Sequence, residues 1–151
     1  MAPRSPSSTP KAQTPCRQMV IILDADVIIH GEKGVFDLGN WVAAHPNDHF
    51  EVAAITIAEL WHGVERAVEP QKSKRRQYLD NVVTTLPIIP YTEQTAYEHA
   101  RIWAELQAAG KMIGYYDVIV AATALERGSH LATFNKRHFA MVKGLQIIEP
   151  R

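Results

Sequence analysis

A chain of 151 residues, 46% hydrophobic and 21% charged, holds enough material for one domain with a real core and excludes a fibrous or wholly disordered polymer. Its 16 basic and 16 acidic residues cancel, so any nucleic-acid surface must be local. The single cysteine, Cys16, excludes an intramolecular disulfide and a cysteine-built zinc site, and fits a reducing, cytoplasmic setting. No apolar run approaches the ~18–20 residues of a membrane span, and no apolar stretch follows the first basic residues as in a secretory signal.

Residues 1–18 contain four of the nine prolines (Pro3, Pro6, Pro10, Pro15) among Ser, Thr and Gln. Such a segment buries too little apolar area to offset its ordering entropy, so a disordered leader is expected ahead of a domain over 19–151. The leader carries Arg4, Lys11 and Arg17 and no acid, leaving the rest mildly acidic. Met19 to Leu23 is a continuous apolar run ended by Asp24, the pattern of a strand buried on both faces of a parallel sheet. Val35, Leu38, Trp41 and Val42 have helical spacing, with Pro46 past the end. Phe50 to Ala54 predicts a second strand. Thr56-Ile-Ala-Glu59 predicts a helix start running to about Ala67, and Pro70 opens another helix to about Val83. Leu86 to Ile89 predicts a short strand. Thr92 caps a long helix with Ala96, Ala100, Trp103 and Gln107 along one side, stopped by Gly110. An Ala-rich helix opens at Tyr116 or Asp117 and stops at Gly128. Leu131 to Thr133 and Leu145 to Ile148 are the last strands. Strands alternating with helices imply an α/β sheet covered on both faces, with function at the carboxyl ends of its strands.

Three carboxylates stand at starts of apolar segments: Asp24 after the first strand, Glu59 in Ile-Thr-Ile-Ala-Glu-Leu, and Asp117 in Gly-Tyr-Tyr-Asp-Val-Ile-Val. Each has an ordinary explanation. Asp24 can end a strand or cap a helix, Glu59 can close a capping box with Thr56, and Asp117 can favour a helix dipole. Their joint placement at three such junctions is harder to dismiss, because a fold that unites them concentrates negative charge and calls for a cation. All-oxygen donors select hard Mg²⁺ or Mn²⁺.

Four segments taken in order carry a resemblance. Leu-Asp24-Ala-Asp26-Val-Ile-Ile, Ile-Thr-Ile-Ala-Glu59-Leu, Ile-Gly-Tyr-Tyr-Asp117-Val-Ile-Val-Ala-Ala-Thr and Leu-Ala-Thr133-Phe-Asn135-Lys-Arg-His138-Phe resemble the successive motifs of PIN-domain proteins, above all the VapC toxins of type II toxin–antitoxin systems. The resemblance covers residues 19–149. It implies a three-layer α/β/α domain with a short central parallel sheet. It implies a Mg²⁺-dependent (or Mn²⁺-dependent) endoribonuclease cutting structured RNA of the tRNA or rRNA class, with water rather than the 2′-hydroxyl as nucleophile. Asp24, Glu59 and Asp117 match the family's catalytic, metal-binding acids, and Thr133 and Asn135 its Thr-x-Asn motif. Where the family often has a fourth acid, this chain has His138. Asp26 stands where many relatives have Ser or Asn and can supply part of that charge. The resemblance further implies a VapB-type antitoxin partner and a homodimer.

For holding RNA, Lys136 and Arg137 adjoin the motif, and Tyr115 and Tyr116 precede Asp117 where they can stack on bases. Lys72-Ser-Lys74-Arg75-Arg76 is the densest basic run, and it reads equally as a solvated helix face. His62 and His99 read as surface or satisfied polar groups. A groove for the antitoxin is expected near Trp61 and Val64. Two rival readings stay open on sequence. One is a haloacid-dehalogenase-like phosphatase, which also opens with a strand and Asp-x-Asp but then needs a Gly-Thr that Asp26 lacks. The other is a non-catalytic RNA-binding or partner-binding module.

Overall fold

In the computed structural model, Pro3 and residues 18–151 are described; apart from Pro3 and Gln18, the expected leader lies outside the described residues. The elements follow in the order β1 (Val20–Leu23), α1 (Ala25–Glu32), α2 (Leu38–Ala43), β2 (His49–Ala53), α3 (Ala54–Arg66), α4 (Gln71–Val83), β3 (Ile88–Ile89), α5 (Glu93–Ala108), α6 (Tyr115–Arg127), β4 (His130–Ala132), α7 (Lys136–Phe139) and β5 (Ile147–Ile148). The five strands form one sheet, all parallel, in the order β3-β2-β1-β4-β5.

The middle strand β1 explains the layering. Successive side chains of a strand point to opposite faces. Ile21 and Leu23 enter one core with Val27, Ile28, Leu60, Val64 and Leu79 from α1, α3 and α4. Ile22 enters the other with Ile102 and Leu106 from α5 and Val118 and Val120 from α6. This makes the three-layer α/β/α architecture the motifs imply. Full burial of each such side chain contributes about 1.5–3 kcal/mol, so the continuous apolar run of β1 stabilises both cores at once. Among the described residues no helix is long and apolar enough to cross a membrane.

Several local expectations are corrected. Val27 to Ile29, left unassigned by the sequence, belong to a helix, α1, although β-branched residues disfavour one. The Asp24 cap and burial against the sheet outweigh that propensity. Helix α2 starts at Leu38 because Asp37 caps it by accepting from the Asn40 amide at 3.0 Å, so Val35 lies outside it and is 72% exposed. Helix α3 starts at Ala54, two residues early, and has no side-chain cap. In α5 the sheet-facing row is Thr95, His99, Ile102 and Leu106; Ala100, Trp103 and Gln107 face outward, since Ile102 and Leu106 carry the larger apolar area. The four-residue α7 is an element the sequence does not announce.

One polar contact crosses the second core. Glu51 on β2 is buried and receives both Arg127 Nη2 and Nε, at 2.9 and 3.1 Å, from the end of α6. Arg127→Ala would leave that carboxylate buried without a partner. The expected loss in unfolding free energy is about 2–3 kcal/mol, below the full cost of orphaning a buried charge because Arg127 is 36% exposed. Urea denaturation measures it; an unchanged midpoint would show that the pair contributes nothing to stability.

Candidate active site

The chain order β1, β2, β3 runs outward on one side of β1, and β4, β5 on the other. The gap between β1 and β4 is therefore a topological switch point, where crossover connections diverge and leave a crevice at the carboxyl ends. Asp24 follows β1 there, and Thr133 follows β4. The ladder pairs Leu23 with Ala132, and the Asp24 amide continues it by donating to the Ala132 carbonyl at 2.9 Å.

Asp24 is the N-cap of α1, as one ordinary reading has it, but the cap uses only one of its oxygens. Oδ1 accepts from the Ala25 amide at 2.8 Å, and Oδ2 accepts from Thr133 Oγ1 at 2.8 Å. The residue is 5% exposed. Burial, then the neighbouring Asp26, push its carboxyl up to about 7, with Asp117 adding to the rise and the Thr133 bond opposing it. Asp26 accepts from the Phe134 amide at 3.1 Å and lies 3.3 Å from Thr133 Oγ1. Burial raises its pKa, against the bonds from Phe134 and Thr133.

The capping-box explanation of Glu59 does not hold. Helix α3 begins at Ala54, which puts Glu59 in its second turn, and Thr56 Oγ1 is buried without a partner. Glu59 Oε1 is also buried and unpartnered. Burial, then Asp117 and Asp26, push Glu59 up to about 7. Asp117 is the third residue of α6, where the helix dipole favours an acid. Burial raises it, nearby His138 opposes the rise, and Asp26 adds to it. Gly114 makes room for it: a Cβ on Gly114 would stand 3.3 Å from Asp117 Oδ2.

Asp24, Asp26, Glu59 and Asp117, from three separate junctions, thus lie close enough to resist one another's ionisation. Among the described residues no three His, Cys, Asp or Glu side chains are already gathered as tightly as a bound ion would hold them. The donor set nonetheless suits a hard divalent cation: it is all oxygen, its four carboxyls are all raised, and it presents an orphaned buried carboxylate oxygen.

Around this cluster, Asn135 donates its amide to Thr133 Oγ1 at 3.0 Å, and its side-chain nitrogen lies 3.2 Å from His138 Nδ1. Lys136, Arg137 and His138 are exposed on α7. An open cleft of about 360 Å³ is lined by Glu59, His62, Gly114, Tyr115, Tyr116 and Asp117. The sequence reading places His62 at the surface, where it is, without linking it to the acids, and gives Gly114 no role. The i, i+3 spacing of Glu59 and His62 on one helix face was the signal for the first. His99 is a satisfied group, its Nδ1 2.9 Å from the Tyr91 hydroxyl. Within the basic run, Arg75 is committed to Glu32 at 2.8 Å and to the Gly63 carbonyl, so it ties α4 to α1 and α3. Val64 is 1% exposed inside the core and cannot line a docking groove. A groove of about 440 Å³ with an almost wholly apolar lining lies instead between α2 and α4.

The raised carboxyls make stability depend on pH. Asp24 and Glu59 keep their protons to about 7 in the folded protein, whereas unfolded carboxyls ionise near 4. Their contribution is present below about pH 4 and is lost as pH rises through about 7. After treatment with a chelator, the Tm should fall by several degrees between about pH 5 and about pH 8, and Mn²⁺ should restore most at the upper end. A Tm that is flat with pH and indifferent to Mn²⁺ would contradict this electrostatic account.

Comparison with known proteins gives the arrangement its relatives. The PIN domain model matches residues 21–145. Ribonuclease VapC1 of Rickettsia felis is 30% identical over 131 residues, covering 86% of this chain and 96% of the relative. The tRNA(fMet)-specific endonuclease VapC of Salmonella typhimurium is 30% identical over 64% of this chain and 71% of its own length. Among solved structures, VapBC2 from Rickettsia felis, bound to a DNA fragment from its promoter, superposes with a TM-score of 0.79 at 23% identity, covering 86% of this chain and 98% of that one. The chain belongs to the PIN-domain family, among its VapC ribonucleases.

Proposed function

We propose that this protein is a divalent-cation-dependent endoribonuclease acting on structured RNA of the tRNA or rRNA class, and the toxin of a type II toxin–antitoxin pair working in the cytoplasm. The observation that carries the reading is the cluster of four carboxylates at the carboxyl edge of the sheet, in a chain whose relatives are named ribonucleases. Phosphatase chemistry on Asp24 alone would leave Glu59 and Asp117 without a role.

Asp24, Glu59 and Asp117 would hold Mg²⁺ or Mn²⁺, which when bound offsets phosphate charge and acidifies water for attack on a phosphodiester. The chain's own groups set the stage for that chemistry. The Ala25 amide and the Thr133 hydroxyl fix both oxygens of Asp24, so its carboxylate is oriented before substrate arrives. Lys136 and Arg137 extend from α7 beside the cluster, where they can neutralise flanking phosphates. The faces of Tyr115 and Tyr116, whose rings meet edge-on at 5.9 Å, offer stacking for an unpaired base over the cleft.

Two further surfaces fit the partners of this reading. The apolar groove lined by Leu38, Val42, Tyr78, Val82 and Leu86 suits an amphipathic segment of a VapB-type antitoxin, as the relatives' VapBC complexes suggest. Trp103 and Met112, the latter 89% exposed, flank a second groove that Tyr115 shares with the acidic cleft. A second copy of the chain seated there would form a homodimer and wall one side of the cleft.

Purified protein incubated with cellular RNA and Mg²⁺ or Mn²⁺ should produce fragments with 5′-phosphates, and chelation should stop it. Asp24→Asn, Glu59→Gln and Asp117→Asn should each slow cleavage on the order of a hundredfold or more while leaving the fold intact by circular dichroism. Cleavage at the wild-type rate by any of the three would remove that residue from the proposed site.

A further inference from the structure

Asp26 sits in the first turn of α1, where the helix dipole alone would account for an acid. Its contacts, however, run 107 and 108 residues along the chain, to Thr133 and Phe134 on the turn after β4. The hydrogen bonding there can be resolved proton by proton. Thr133 has one hydroxyl proton, and Asp24 Oδ2 at 2.8 Å is its nearer acceptor; Asp26 Oδ2 stands at 3.3 Å. Thr133 Oγ1 in turn accepts from the Asn135 amide. Across the switch point, the bond left to Asp26 is therefore the one from the Phe134 amide. Asp26 pins Phe134, Phe134 is flanked by Thr133 and Asn135, and Thr133 holds Asp24.

We propose that Asp26 is a positioning residue for the reaction: its carboxylate clamps the Thr133–Asn135 turn to the start of α1 and thereby fixes the orientation of the Asp24 carboxylate. Its role in catalysis rests on the ribonuclease reading; the clamp itself does not. It accounts for a feature that charge alone leaves unexplained. A fourth carboxylate amid three others is electrostatically unfavourable, and what it gains in return is an acceptor aimed at a backbone amide on the other half of the switch point. An amide side chain at position 26 would present the same acceptor without the charge, whereas alanine would present none. The turn would loosen on that loss without unfolding, because the Phe134 ring packs against His30 at 4.8 Å and Phe36 at 5.2 Å between centroids.

The test compares Asp26→Ala and Asp26→Asn with the wild type, using amide hydrogen exchange at Phe134 and Asn135 and steady-state RNA cleavage with saturating Mn²⁺. For Asp26→Ala, exchange should quicken about tenfold or more and kcat should fall about 10- to 100-fold, with KM within about threefold, because Asp24 is displaced while the RNA-holding surface is not. Asp26→Asn should return both exchange and kcat to within about threefold of wild type. The proposal is overturned if Asp26→Ala keeps its Phe134 protection. It is also overturned if Asp26→Asn keeps protection yet cleaves as slowly as Asp26→Ala, since the charge itself would then act. If the wild type cuts no RNA but Asp26→Ala still loses Phe134 protection, the clamp stands and the ribonuclease reading falls.

Discussion

The hydroxyl of Thr133 reaches across the seam of the sheet to one oxygen of Asp24, 109 residues earlier in the chain, and the geometry of the acidic edge depends on that contact. It is short, it is buried, and it lies where two parallel strands end side by side. A carboxylate that emerges from a buried strand is costly to desolvate unless its oxygens are bonded. Here one oxygen is satisfied locally, by the next amide, and the other only by the completed fold. The sheet order places β4 beside β1, the Leu23–Ala132 pairing sets the register, and the register puts the hydroxyl within 2.8 Å of its acceptor. A slip in that pairing would turn the strand's side chains to the wrong faces.

The acids are arranged against stability. Burial raises Asp24, Asp26, Glu59 and Asp117, neighbouring carboxylates add to the rise at Asp24, Glu59 and Asp117, and the buried Glu59 Oε1 has no partner. The two cores absorb that strain: β1 is saturated with aliphatic contacts on both faces, and the Glu51–Arg127 pair fastens β2 to the far end of α6. Strain concentrated at one edge of an otherwise consistent structure is what a functional site looks like in physical terms.

How legible all this was in the sequence varies with the range of the interaction. The strands and most helices declare themselves through local apolar runs, caps and stops such as Thr92 and Gly128. Asp24, Glu59 and Asp117 stand out because each begins an apolar segment. Helix α1 is hidden because Val27, Ile28 and Ile29 are β-branched and of low helix propensity, and packing on the sheet outweighs that. The buried row of α5, Thr95, His99, Ile102 and Leu106, is not announced because the helix's rows are separated mainly by side-chain size. Glu59 reads as a cap because Thr56 lies three residues before it; the true helix start at Ala54 is set by the end of β2, not by a capping side chain. The bonds from Thr133 and Phe134 to Asp24 and Asp26 are tertiary, and no spacing rule spans more than a hundred residues.

That same separation governs timing. At about 5–20 residues per second, a ribosome needs on the order of ten seconds to pass from Asp24 to Thr133. Until β4 has emerged and paired, Asp24 lacks its anchoring hydroxyl and Asp26 lacks the amide it accepts from. The nascent chain therefore carries its acids for most of its synthesis in an unassembled state. For a protein of the proposed kind, made on the machinery whose RNA it would attack, cleavage competence would arrive late, with one of the last strand pairings, and a prematurely ended product would be inert.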